Sequence, residues 1–239
     1  MPQMQNFGGQ NQSMYGSPLT PYGRNFGGQA GAMGMGGMNT MATAMRTGGQ
    51  NQNQKQGAHE ILMVHEVLTH TIDTINNFEL YRQHVKDSQL ANILDNQLQH
   101  MQSGYQNIVN FMHNRGTAHA VPYRAPRSGS PAYGLRNPSP QMPNTSMNQM
   151  DDRDVASCML GCAKSSAIMC TQAALECADP TLRNMMVSCS QSSINQAYEV
   201  FQYMNQRGMY QVPTLADNTT QTMVNTYQAP QGGMQMQMQ

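Results

Sequence analysis

One helix is written twice in this chain. Asp87, Leu90, Asn92, Met112, Arg115 and Gly116 recur as Asp179, Leu182, Asn184, Met204, Arg207 and Gly208, at a constant offset of 92 residues. The apolar positions between them coincide too, with Ile93, Leu94, Met101 and Ile108 aligning on Met185, Met186, Ser193 and Val200. An internal repeat of this kind restricts the fold more than any composition argument. Both copies carry their own punctuation. Asp87 or Ser88 supplies an N-cap for the first, and Asp179 followed by Pro180 opens the second. Arg115-Gly116 and Arg207-Gly208 are the matching stops, a cation beside the last carbonyls and then a residue free to adopt positive φ.

A second periodic stretch precedes each repeat. Ile61, Val64, His65, Leu68, Ile72, Ile75 and Val85 mark one face of a helix, and Val155, Met159, Cys162, Ser166, Met169 and Ala173 mark another. The repeated helix continues the first stripe with Leu90, Ile93, Leu94, Gln97, Met101, Tyr105, Ile108 and Met112. In its second copy the stripe runs Leu182, Met185, Met186, Cys189, Ser193, Ala197, Val200 and Met204. The spacing therefore predicts an all-α chain of two helical hairpins, 58–115 and 151–208, joined by a long crossover. Together they form a ferritin-like four-helix bundle. Pairing of each hairpin with another chain is the alternative arrangement.

The remaining segments have no period. Residues 1–57 are a Gly/Gln/Asn/Met tract with GGQ at three places, and residues 116–150 contain six prolines and read as an extended linker. Residues 209–239 turn polar again and end in GGMQMQMQ. None of these can bury enough apolar area to offset the entropy of ordering, so the N-terminal tail, the linker and most of the C-terminal tail are expected to be disordered.

Charged residues are only 11% of the chain and its formal net charge is zero, with three lysines and no basic patch interleaved with aromatics. Nucleic-acid binding is not expected from such a chain, and a neutral balance favours self-association. The N-terminus MPQMQNFGGQ has neither the basic nor the apolar region of a secretory leader, and no apolar run is long enough to span a bilayer. Synthesis in a cytoplasm, with reduced cysteines, is the expectation. No nucleophile elbow, phosphate loop or dinucleotide fingerprint is present.

The stretch LECADPTLRNMMVSCSQSSINQAYEVFQYMNQRGMYQVPTLA, residues 175–216, resembles the spore coat protein F family. The residues that carry the resemblance are Glu176, Cys177, Asp179, Leu182 and Arg183, then Met204, Arg207, Gly208, Tyr210 and Pro213. The family commonly has Trp before that Tyr, where this chain has Met209. His65–Met101 is similar to the N-terminal half of related coat proteins, so the resemblance covers about half the chain and none of the tails. It implies a ferritin-like fold, synthesis in the mother cell of an endospore former and deposition in the spore coat among other coat proteins; a catalytic activity is not part of what it implies, and no cofactor is expected. A ferritin-like metal-binding oxidoreductase or metal-storage protein is the alternative, and a soluble sporulation adaptor a third.

Candidate chemistry is sparse. A di-iron bundle site needs carboxylates and Glu-x-x-His on facing helices, and no Glu-x-x-His exists here. Glu66 and His70 are four apart, and Glu79 follows Ile75 on the expected core side, but the second hairpin supplies no histidine. No metal site is expected. The five cysteines are Cys158, Cys162, Cys170, Cys177 and Cys189. The first four fall around one side of their helix and read as small buried hydrophobes. Cys158 and Cys170, at the edges, are the candidates for intermolecular disulfides. Lys55, within QNQNQKQG, and Tyr15, Tyr22, Tyr123, Tyr133 and Tyr227 are candidates for isopeptide or dityrosine cross-links in segments of a composition that tends to associate.

Overall fold

The computed structural model of the chain describes residues 56–113, 121–126 and 129–229. Its elements are α1 (Ala58–Arg82), α2 (Ser88–Met112), a 3₁₀ turn at Met147–Gln149, α3 (Asp152–Glu176), α4 (Pro180–Gln206) and the short α5 (Asp217–Asn225). No strand occurs among the described residues; Tyr133 and Val212 form an isolated bridge.

The capping side chains set the helix starts. Asp87, rather than Ser88, caps α2 by accepting from the Gln89 and Leu90 amides at 2.7 and 3.1 Å. Asp179 accepts from the Leu182 amide at 2.8 Å with Pro180 next to it. Asp151 and Asp154 cap α3 reciprocally. Gly57 has no side chain to contribute at the start of α1, so only the reach-back bond from its amide to Glu60 Oε1 forms there, at 2.6 Å. Helix α4 ends in a Schellman turn: the Met209 amide donates to Met204 O and the Gly208 amide to Asn205 O. Gly208 sits at φ +70°, where a Cβ is strained, so Gly208→Ala should destabilise the chain by about 1 kcal/mol in denaturant unfolding. The corresponding stop, Gly116, lies outside the described residues.

Cross-links between helices fix the arrangement. His59 at the start of α1 meets Glu176 at the end of α3 (3.2 Å) and His70 meets Ser166 (2.9 Å), so α1 and α3 run antiparallel. Arg207 at the end of α4 pairs with Asp87 at the start of α2 (2.8 Å), and Gln97 Nε2 donates to Gln196 O (3.2 Å), so α2 and α4 are antiparallel as well. The helices surround the core in the order α1, α2, α4, α3, each antiparallel to its neighbours, with α3 and α4 in the most extensive contact. The α1–α2 turn, where the Lys86 and Asp87 amides donate to Asp152, shares one end with the start of α3 and the end of α4. The other end holds the start of α1, the end of α2 and the α3–α4 turn. The crossover must therefore travel the whole bundle length, about 37 Å for 25 helical residues.

The core agrees with the expected stripes on α2, α3 and α4, but only in part on α1, where Val64, Leu68 and Ile75 turn inward, as does Val85 just beyond its end. There the buried side chains are Glu60, Val64, Val67, Thr74 and Phe78, while Ile61 and Ile72, expected inside, are exposed, as is His65. Polar side chains at Glu60 and Thr74 face the core because each has a partner: Thr74 donates to His70 O, and Glu60 accepts backbone amides. Reading only the apolar residues rotates the face.

Described residues of the linker and of the start of the C-terminal extension make contacts that the expectation of disorder did not include. Tyr123 is buried; its amide donates to Ser192 Oγ (3.0 Å) and its carbonyl accepts from Asn195 (2.7 Å). Further along, Asn205 exchanges hydrogen bonds with Ala132, N–H to Oδ1 at 2.7 Å and Nδ2–H to O at 3.0 Å. Helix α5 buries none of its residues.

Candidate functional site

Three features of the bundle are candidates for function. The first is a buried polar layer. Glu199 of α4, inside the bundle, accepts from Tyr123 Oη at 2.6 Å and from Gln97 Nε2 at 2.8 Å. Burial and then the Glu199 carboxylate push the Tyr123 phenol well above its ordinary range, so it stays a neutral donor. The His100 ring stands edge-on to Tyr123, 5.3 Å between centroids, and burial pushes its pKa down. This layer fastens the crossover to α2 and α4. Tyr123, read as a tail tyrosine open to cross-linking, is thus enclosed, whereas Tyr133 and Tyr227 are exposed.

The second is the set of cysteines. Cys170 is buried, and a disulfide joins it across the hairpin to Cys189, with Cα atoms 6.0 Å apart. Its expected edge position is corrected: at the α3–α4 contact the two helices approach closely, and Cys170 faces its neighbour rather than solvent. Cys158, Cys162 and Cys177 are free thiols, half-buried. Burial raises the Cys162 and Cys177 pKa values, and Tyr81, desolvated and beside Cys158, is pushed up to about 12. The Cys162 and Cys177 thiols are therefore poorly ionised at neutral pH. Lys55, Tyr15 and Tyr22 lie outside the described residues.

The third is a cavity of about 260 Å³ at mid-bundle, lined from all four helices. It separates two apolar clusters, one around Phe78, Leu94, Met159 and Tyr203 and one around Val64, Ile108, Leu182 and Met186. His70 lines it, hydrogen-bonded to Ser166. Its expected companions do not join it: Glu66 and Glu79 are exposed. Among the described residues no three His, Cys, Asp or Glu side chains converge where a metal ion could be held, and no helix is long and apolar enough to cross a membrane. Sequence reasoning missed the docking role of Tyr123, and it missed Glu199 and the cavity altogether. The only available signals were an isolated tyrosine among prolines and the run of serines on the inner face of α4.

Comparison with known proteins places this bundle in a class. A family profile described as the Coat F domain matches residues 151–213, which span α3, α4 and the turn after Gly208. Over 181 residues, 74% of this chain, it is 34% identical to the spore coat protein F-like protein YhcQ of Bacillus subtilis (strain 168) and covers 83% of that protein. The chain belongs to the spore coat protein F family. Its fold is also that of a crystal structure from Bacillus halodurans C-125, of a protein assigned as a spore coat protein. That likeness has a TM-score of 0.52 at 14% identity and covers 70% of this chain and 98% of the other.

Proposed function

We propose that this protein is a structural, non-enzymatic component of the bacterial endospore coat, made in the mother cell and assembled with itself and other coat proteins. The observation that carries the reading is the 34% identity to the coat protein F-like relative across most of both chains. The bundle serves as the assembly body. Support for self-association comes from the outward side of the α3–α4 pair, where Ile168, Val187, Ile194 and Tyr198 stand exposed on helices held in register by the 2.7 Å Thr171–Ser190 bond. An uncovered apolar strip on a chain without net charge favours association. The exposed tyrosines and the thiol of Cys158 offer cross-linking groups once the assembly meets oxidant. Lys55 in the N-terminal tail offers an amine able to displace ammonia from a glutamine carboxamide, forming an isopeptide bond.

Imaging a fluorescent fusion through sporulation, with fractionation of mature spores, tests the proposal. The expected result is signal condensing on the forespore surface and protein recovered in the coat extract. A pool that stays dispersed in the mother cell and is absent from mature spores would overturn it. Stoichiometric iron or manganese in the purified protein would favour the metalloprotein alternative instead.

A further inference from the structure

The cavity at mid-bundle has the features of a recognition site rather than a packing defect. Small residues share its lining with large ones. Gly104 of α2 and Ala163 and Ser166 of α3 leave the space unfilled, and a Cβ added at Gly104 would meet nothing within 4 Å. An aliphatic residue such as alanine or leucine at Gly104 has room for its side chain and would strengthen the helix as well.

The chemistry of the wall narrows the occupant. No Asp, Glu, Lys or Arg lines the cavity among the described residues, and Phe78, Met101 and Met185 supply much of its apolar surface. A charged molecule would lose its hydration there without a partner. Four of the lining hydroxyls are committed as donors. Thr71 donates to Val67 O, Thr74 to His70 O, Ser192 to Ser188 O and Ser193 to Cys189 O, at 2.7 to 3.0 Å. Ser192 Oγ already accepts from the Tyr123 amide, while the Thr71, Thr74 and Ser193 oxygens are left as acceptors, so this part of the wall asks for a donor. Gln196, also in the lining and almost fully buried, has an Nε2 without a partner among the described residues, a donor that a ligand hydroxyl oxygen or the face of an aromatic ring would accept. Exposed Val121 places the crossover at the rim.

We propose that this cavity binds an uncharged, mainly apolar small molecule bearing one N–H or O–H donor. Its size follows by proportion: a dry cavity of about 150 Å³ accepts benzene, so this one suits about ten non-hydrogen atoms. The site is independent of the coat assignment, since it rests on the cavity and its hydrogen-bond inventory alone.

Indole, neutral with a single N–H, is the probe. Thermal melting of the full chain with indole should show a rise in midpoint that grows with concentration. Indole-3-carboxylate, which carries the same ring and a charge, should give none. Gly104→Leu should fold, with unchanged far-ultraviolet circular dichroism, and bind indole at least tenfold more weakly. Ala163→Val narrows the cavity from α3 and should weaken binding in the same direction; it decides the matter if Gly104→Leu does not fold. No indole shift in the unmodified chain, an equal shift from the carboxylate, or an equal shift in the filled variants would each overturn the proposal.

Discussion

Tyr123→Ala should lower the melting temperature of the full chain by roughly 8–16 °C, the largest effect expected from any single substitution in the crossover. The ring is buried and its hydroxyl, amide and carbonyl are all bonded to α4. Truncating a buried aromatic costs about 4 kcal/mol, and a chain of this size moves by about 2–4 °C per kcal/mol. Tyr123→Phe separates the parts of that loss. It keeps the ring but leaves Glu199 with Gln97 as its side-chain donor, at a cost of about 2 kcal/mol. Circular dichroism melts of the two variants provide the measurement. A change below about 2 °C for Tyr123→Ala would mean that the crossover does not dock on the bundle in solution.

Glu60→Ala should follow, with a loss of about 3 kcal/mol, or roughly 6–12 °C. Glu60 begins in α1 and ends at the α3–α4 turn, where its Oε2 accepts from the Ala178 and Asp179 amides at 2.9 and 3.0 Å. Its other oxygen accepts from Gly57. Removing the carboxylate leaves three backbone donors without their acceptor. The effect has a pH signature. The Asp179 amide is the main cause that holds the Glu60 carboxyl below its ordinary value of 4.5, and the Gly57 and Ala178 amides add to it against the opposing effect of burial. A carboxyl lowered in the folded state stabilises fully above its ordinary value, and the contribution is lost as pH falls through the lowered one. Acid unfolding of the unmodified chain should therefore begin below about pH 4.5 and be flatter with pH in Glu60→Ala. Some slope should remain from Asp87. Its burial pushes the carboxyl up, but the Leu90 amide, Arg207 and the Gln89 amide outweigh that and hold it low. Identical acid profiles for the two proteins would refute the assignment.

How far the sequence could be read depended on whether each residue's partner was near in the chain. The caps at Asp87 and Asp179 and the stop at Gly208 act on amides within a few residues, so their residue types alone announced them. The α2 stripe was legible for a related reason: Leu90, Ile93, Leu94 and Ile108 are apolar where they are buried, and even Gln97 falls on the same line. On α1 the buried residues include Glu60, whose second set of partners lies 118 and 119 residues away, and no local pattern encodes that. Tyr123 is the same case, docking on residues 69 to 76 positions further along. Cys170 was misplaced because helical spacing gives an angle around one axis, not the distance to the next helix. The cavity was the least legible feature, since a void is a property of four facing helices together.

The placement of the bundle's two ends has a mechanical consequence. Helix α1 begins at one end and α4 finishes at the other, as the Glu60–Asp179 and Arg207–Asp87 contacts require. Tension applied through the flanking segments would then run lengthwise. Neighbouring helices would slide past one another in shear, with every interface loaded at once, instead of peeling apart turn by turn. A module strung this way resists stretching along its axis better than it resists prying at either end.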